Sequence, residues 1–268
     1  MIYAVVFLLC SLAAAWAAAV YWHWLLALPV FVLAFGLMHL LWLTTFWLLA
    51  LPVDRSKPIE KQRASSREAC RSVGRFLCLY AGAKPHFSGV EKLPADSRFL
   101  FVCNHQAGFD PLLVMGYLNR FNISFVAKLS LMALPMVGDI AWSAGFLGID
   151  RENDRAALKT ILTAVDYLKR DLCSVGIYPE GTRSRSGELL PFRSGSCKIA
   201  QRAKVPVAVA CVRDTEKAVK GLFLRPRRCS LDILEVLPAE RVCAMNTHEL
   251  ADCCRALMEK HLKEAGKA

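Results

Sequence analysis

The first 53 residues of the chain contain no aspartate, glutamate, lysine or arginine, and the first charged side chain is Asp54. This stretch is too long for a single crossing of a bilayer, which needs about 20 residues. The cluster Tyr21–Trp24 is aromatic and weakly polar, as at a membrane interface, and Pro29 follows it. We therefore predict a membrane-embedded segment over residues 1–53, built from two hydrophobic helices, Ile2–Val20 and Val30–Leu51.

The orientation of this segment follows from the charges behind it. Basic residues come directly after the second helix: Arg55, Lys57, Lys61 and Arg63. The positive-inside rule places that end in the cytoplasm, and two spans would place the N-terminus there too. A shallow re-entrant hairpin stays open, because the alanine-rich stretch 13–19 is only moderately hydrophobic. A cleaved signal peptide is disfavoured, because no positive n-region precedes the first helix.

The net charge of +11 belongs entirely to the rest of the chain. It predicts an anionic partner such as a phosphate or a phospholipid surface. Basic residues are not interleaved with aromatic ones and no zinc-finger spacing occurs, so nucleic acid is not the expected partner. The 11 cysteines are odd in number and form no CxxC pair. They indicate reduced thiols in a cytosol-facing domain, with neither a disulfide framework nor a metal site.

Residues 54–84 read as a basic linker containing an amphipathic helix, Lys61–Tyr80. Arginines recur every four residues and form one stripe: Arg63, Arg67, Arg71 and Arg75. Such a helix can lie on an anionic membrane, or it can pack its apolar face on the following domain. The sequence leaves both alternatives open.

Residues 85–268 alternate between strand-like apolar runs and helical patterns after a polar, turn-rich entry over residues 84–97. The predicted strands are Phe99–Cys103, Ile123–Ala127, Phe146–Ile149, Cys173–Tyr178, Val205–Val212 and Cys229–Val236. The predicted helices are Pro111–Leu118, Asp154–Leu168, Cys197–Ala203 and Thr247–Leu262. This alternation predicts an α/β domain, with a mostly parallel sheet flanked by helices. Sites in such sheets lie beyond the carboxyl ends of the strands.

A histidine and an aspartate follow the first of these strands, in the sequence Asn104-His105-x4-Asp110. In a strand–loop–helix turn the two side chains can fold back towards each other. A carboxylate that contacts an imidazole fixes its tautomer and makes it a general base. Asp110 followed by Pro111 is also an ordinary helix start, so these residues alone leave both interpretations open.

Two further polar clusters follow strands. One is Gly145-x3-Ile-Asp-Arg151, and the other is Glu180-Gly-Thr-Arg183, after which Arg193 comes in Pro-Phe-Arg-Ser-Gly. Each arginine alone would be an ordinary surface charge. Grouped at successive strand ends, they suit a phosphate, which a guanidinium binds through two hydrogen bonds.

The ordered set of motifs resembles the glycerolipid acyltransferases, specifically the 1-acyl-sn-glycerol-3-phosphate acyltransferase family. The resemblance runs from about Phe87 to Val212. It implies an O-acyltransferase that moves an acyl group from acyl-CoA or acyl carrier protein to the sn-2 hydroxyl of lysophosphatidic acid. It implies that His105 removes the hydroxyl proton and that Asp110 orients the His105 side chain. No cofactor or metal is implied, and the expected partner is a phospholipid membrane that the catalytic domain meets from the cytoplasm.

The resemblance also implies the substrate-binding residues. These are Lys128, Arg151, Glu180, Gly181, Thr182, Arg183 and Arg193. The chain departs from the family pattern in three places: Ser130 stands for a usual glutamate, Arg193 for a lysine, and Val209 for a proline.

These departures leave the chemistry intact and keep other acceptors open, such as another lysolipid or glycerol 3-phosphate. A non-catalytic protein that binds anionic lipid is the alternative from another class. Cys103 is the one residue that offers a covalent mechanism, against its simpler interpretation as an interior thiol.

Overall fold

A computed structural model describes residues 2–184, 188–219 and 226–265 of the chain. By its contacts the chain divides into two units, Met1–Asp54 and Arg55–Ala268. The first unit holds helix α1, Ile2–Tyr21, and helix α2, Ala27–Ala50. Helix α2 begins three residues before the predicted start, because a proline in the first turn of a helix breaks no hydrogen bond.

The first unit is apolar around its helices. Among the described residues, one helix is long and apolar enough to cross a membrane, Trp24–Ala50, which combines α2 with the 3-10 turn before it. None of the residues in its most apolar stretch is buried, and Val5–Tyr21 of α1 is a shorter apolar helix. A helix that is apolar on every side suits lipid or a large protein core.

The second unit contains all of the strands that the structure describes. They are β1 Ala83–Ser88, β2 Leu100–Cys103, β3 Ile123–Lys128, β4 Leu147–Ile149, β5 Ser174–Ile177, β6 Val207–Arg213 and β7 Arg227–Leu237. Its helices are α3 Ala64–Tyr80, α4 Asp110–Tyr117, α5 Leu129–Met132, α6 Val137–Ser143, α7 Asp154–Lys169, α8 Lys198–Ala203, α9 Thr215–Val219, α10 Ala239–Ala244 and α11 Thr247–Ala265.

The strands form one seven-stranded sheet in the order β1-β7-β6-β2-β5-β3-β4. Every neighbouring pair is parallel except β6 and β7, which are antiparallel. Strands β2 and β5 are buried at every position, as expected for central parallel strands with both faces covered. This confirms the predicted fold class, an α/β domain with a mostly parallel sheet, preceded in the chain by two apolar helices.

Helix α3 packs on α4 in the second unit. Gly74 makes the close approach possible, since a Cβ there would lie 2.5 Å from the carbonyl oxygen of Leu112. Two arginines of the predicted basic stripe also contact the domain, because Arg67 and Arg75 donate hydrogen bonds to backbone carbonyls. Packing on the domain is therefore the better interpretation of this helix. The division of the chain into three parts at residues 53 and 84 stays a prediction.

The sequence did not predict strand β1 or helix α6. Strand β1 lies at the edge of the sheet, where Pro85 is tolerated, and its residues alternate between half-buried and exposed. Its polar composition therefore resembles that of a loop. Helix α6 lies in a run of apolar residues whose spacing distinguishes helix from strand poorly.

Candidate active site

The central strands bring two of the predicted motifs to the same edge of the sheet. Strands β2 and β5 are parallel neighbours, so the residues that follow them, His105 and Glu180, lie side by side. Asn104 is buried at the end of β2 and connects that end to β6. Its Oδ1 accepts the N–H of Val212 at 2.7 Å and its Nδ2 donates to the carbonyl of the same residue at 3.1 Å. The sequence shows Asn104 in the motif without revealing this anchoring contact.

His105 and Asp110 are in direct contact. His105 Nδ1 lies 2.7 Å from Asp110 Oδ2, and the same oxygen accepts the N–H groups of Gln106 at 2.8 Å and Ala107 at 3.0 Å. The loop between strand β2 and helix α4 thus folds around the carboxylate. The aspartate side chain is fully buried while 15% of the histidine side chain is exposed. When Nδ1 donates to the carboxylate in this way, Nε2 is the ring nitrogen that can accept a proton.

The imidazole is also held by an aromatic stack that the sequence analysis missed. The ring of Tyr178 lies on that of His105, with centroids 4.2 Å apart and planes inclined by 20°. Phe125 also stacks on Tyr178, with centroids 5.4 Å apart and planes inclined by 9°. Burial, followed by the charge of Asp110, raises the pKa of Tyr178 well above its ordinary value, so the phenol stays neutral. The signal for Tyr178 was its place at the end of β5, directly before the Pro179-Glu180 motif.

Glu180 joins the loops of the site. Its Oε1 accepts the N–H of His105 at 2.7 Å and its Oε2 accepts the N–H of Leu190 at 3.0 Å. Burial raises the pKa of Glu180, although these two hydrogen bonds act in the opposite direction. The N–H of Ser184 also donates to the carbonyl of His105, at 2.7 Å. Both carboxylate oxygens of Glu180 therefore have backbone partners, and the role of this residue in substrate binding stays a prediction.

Three predicted arginines lie around these loops. A Cβ on Gly108, inside the His105–Asp110 loop, would lie 3.5 Å from the guanidinium of Arg183. A Cβ on Gly181 would lie 3.0 Å from Arg193 Nε. Burial, and then the charge of Arg193, lowers the pKa of Arg151. Since the Arg151 and Arg193 charges repel each other, both would gain from an anion bound between them.

A cleft of about 210 Å³ opens beside Gly181. Its charged lining residues are Arg151, Arg193 and Asp154, and most of its lining is apolar, including Val126, Ile149, Ile161, Ile177 and Ile199. Gly181 has a left-handed backbone with φ of 69°, which a side chain would strain. A cleft with two cations and an apolar wall can hold a molecule that combines a phosphate with a hydrocarbon chain.

The structure does not bring every predicted residue to the pair. Lys128 is exposed at the end of β3, and β5 lies between that strand and β2. Thr182 is exposed in the turn after Gly181, and Ser130 is exposed on α5. The binding roles of Lys128 and Thr182 stay predictions.

Cys103 is fully buried in β2. Burial, together with nearby Cys211, Asp110 and Glu180, raises the pKa of its thiol well above the ordinary value. A thiol in this environment is a poor source of thiolate, which supports its interpretation as an interior side chain. Among the residues that the structure describes, no group of three or more histidine, cysteine or acidic side chains could hold a metal ion.

Comparison with known proteins gives consistent matches. The acyltransferase family profile matches residues 84–213. The 1-acyl-sn-glycerol-3-phosphate acyltransferase of Salmonella typhimurium is 35% identical over 181 residues, covering 65% of this chain and 72% of the relative. The protein of the same name from Escherichia coli strain K12 is 34% identical over 171 residues, covering 63% and 68%.

More distant relatives extend the match. The 1-acyl-sn-glycerol-3-phosphate acyltransferase alpha of Mus musculus is 27% identical over 226 residues, covering 81% of this chain and 76% of the relative. The crystal structure of the 1-acyl-sn-glycerophosphate acyltransferase PlsC from Thermotoga maritima superimposes with a TM-score of 0.64 at 24% identity. It covers 75% of this chain and 80% of that one, and it supports the fold.

Proposed function

The chain belongs to the acyltransferase family, among its 1-acyl-sn-glycerol-3-phosphate members, and from that premise we propose that it acylates the sn-2 hydroxyl of lysophosphatidic acid to give phosphatidic acid. The family resemblance predicted from the motifs is thus confirmed, and the protein is an O-acyltransferase. The observation that carries the proposal is the His105–Asp110 contact of 2.7 Å beside a cleft lined by arginines.

The proposed reaction is a direct transfer. The Nδ1–H group of His105 donates a hydrogen bond to Asp110. The other ring nitrogen, Nε2, therefore has a lone pair and removes the proton of the acceptor hydroxyl. The hydroxyl oxygen attacks the thioester carbonyl, and the tetrahedral intermediate expels the thiolate, which takes the proton back from the imidazolium. A thioester is already activated, so the proposal assigns the enzyme neither a covalent intermediate nor a cofactor of its own.

We further propose that the enzyme works at a membrane from the cytoplasmic side. The apolar helices α1 and α2 would embed it, and the basic residues that follow Asp54 favour the cytoplasmic side. The donor is acyl-CoA or acyl carrier protein; both are acidic, which suits the net charge of +11.

An acceptor and donor panel tests this proposal. We expect membranes that contain the chain to acylate lysophosphatidic acid and to leave glycerol 3-phosphate and lysophospholipids with larger headgroups unreacted. Labelled acyl-CoA and labelled acyl carrier protein, tested separately, identify the donor. If the enzyme prefers another acceptor, lysophosphatidic acid is not its acceptor, but the proposed acyl-transfer reaction would still hold.

Changing Arg183 to glutamine should raise the KM for lysophosphatidic acid about ten- to a hundredfold and change kcat little, since a charge-assisted hydrogen bond contributes about 1.5–3 kcal/mol. Steady-state kinetics with varied acceptor measures this. Arg202, an exposed arginine of α8, provides the matched control, because Arg202→Gln removes the same charge away from the site. Equal KM values for the two variants would contradict the phosphate contact.

Changing Glu180 to glutamine should lower kcat about tenfold with a nearly unchanged KM, because the amide NH2 would face one backbone N–H and loosen a loop of the site. The kcat and KM values, measured separately, decide between a positioning residue and a substrate ligand. Glu235→Gln, which removes an exposed ion pair with Arg241, is the control. A rise in KM alone would mean that Glu180 binds substrate instead.

A further inference from the structure

The residues that follow Lys128 expose an unusual amount of apolar surface. In segment 129–137, four large side chains are between 42% and 50% exposed: Leu129, Leu131, Leu134 and Val137. The segment contains no charged residue, and Met132 is the one large side chain in it that is buried. Soluble surfaces seldom gather exposed apolar groups in this way without a partner.

Segment 129–137 begins at the edge of the sheet that carries the active site. It continues from β3 at the carboxyl edge of the sheet, where His105 and Glu180 follow β2 and β5. It also covers the last strand, because a Cβ on Gly148 of β4 would lie 3.1 Å from the side chain of Leu129. The segment therefore begins at the same edge of the sheet as the catalytic pair and packs on β4.

Arg55, which follows the apolar helices in the chain, contacts both this segment and helix α6. Arg55 donates to the carbonyl of Met132 at 2.5 Å and pairs with Asp139 at 3.5 Å. Arg55 is the fifth residue after Ala50, the last residue of the candidate span. Since five residues reach about 18 Å at most, a bilayer that this helix enters lies within that distance of Arg55.

We propose that segment 129–137 inserts its leucines into the surface of a phospholipid bilayer, so that a lysolipid passes from the membrane to the site without crossing water. This inference rests on the proposed function for the identity of the acceptor. A second copy of the chain is the less suitable partner, because a stable dimer buries about 800 Å² on each side and four side chains within nine residues cannot supply that area.

The substitution Leu134→Asp tests the surface. With the full chain in liposomes, we expect it to lower kcat/KM about tenfold for a long-chain lysophosphatidic acid held in the vesicles. For a short-chain analogue that is dissolved in water, we expect less than a twofold change. The matched control is Leu162→Asp, since Leu162 on α7 is 45% exposed against 48% for Leu134.

Two outcomes of this assay would overturn the proposal. Equal losses on both acceptors would mean that the substitution damages the site, and no loss on either would mean that the surface is idle. A change in oligomeric state on Leu134→Asp would assign the surface to a second copy. A wild-type chain that acylates neither acceptor would refute the proposed function, but it would not refute the membrane insertion of segment 129–137. A measurement that does not depend on activity tests that insertion.

Tryptophan fluorescence measures membrane insertion without relying on activity. Leu134→Trp should add emission that brominated phospholipids quench, over the signal of the wild type in the same vesicles, while the tryptophan added by Leu162→Trp should stay unquenched. Unquenched emission from Leu134→Trp would overturn the proposal. This variant replaces one exposed apolar side chain with another, so it also covers the case in which Leu134→Asp fails to fold.

Discussion

Replacing His105 with alanine should lower kcat by at least about a thousandfold, because the variant has no group to take the hydroxyl proton. The imidazole contacts Asp110, stacks on Tyr178 and is only 15% exposed, so circular dichroism of the variant must first show that it folds like the wild type. Acyl transfer from a labelled thioester to lysophosphatidic acid, at matched protein levels, measures the effect. Binding of the acceptor should change much less than kcat.

The chain contains a second histidine–carboxylate pair that serves as the control. His261 Nε2 lies 3.0 Å from Asp232 Oδ2, and its side chain is 28% exposed. This pair joins α11 to β7 outside the candidate site, so His261→Ala removes the same type of contact there. We expect nearly full activity. Similar losses in the two variants, or full activity in His105→Ala, would refute the assignment of His105 as the base.

The sequence predicted those parts of the site that depend on local spacing. His105 and Asp110 are five residues apart, and a turn between a strand and a helix is enough to bring them together. The sheet then places the Glu180 motif beside them, because β2 and β5 are neighbours. The strand pattern predicted this shared edge, although not which strands are adjacent.

The contacts that the sequence could not predict join residues far apart in the chain. The hydrogen bonds of Glu180 to His105 and Leu190 depend on which backbone N–H groups the loops present to it. The stack of Phe125, Tyr178 and His105 requires three neighbouring strands in register. Strand β1 was not predicted because an edge strand needs only one apolar face. Its sequence therefore resembles that of a loop.

Changing Asp110 to asparagine should lower kcat about a thousandfold while the protein still folds. An asparagine oxygen in the place of Oδ2 can accept the same three hydrogen bonds, from His105 Nδ1 and from the N–H groups of Gln106 and Ala107. It carries no charge, so it does not stabilise the imidazolium that forms when the hydroxyl loses its proton. The loss should therefore fall on kcat, with circular dichroism and acceptor binding close to those of the wild type.

Asp232→Asn is the matched control, since Asp232 is also buried and also accepts from a histidine. Burial opposes its ionisation, but hydrogen bonds from Ser88, Ser230 and His261, together with the charge of Arg213, lower its pKa. A lowered pKa means that the charged form stabilises the fold above the ordinary pKa and that this stabilisation is lost as the pH falls. We therefore expect Asp232→Asn to lower thermal stability at neutral pH and to keep kcat. If instead Asp110→Asn lost stability and kept kcat, its carboxylate would serve the loop alone, and His105 would act without a charged partner.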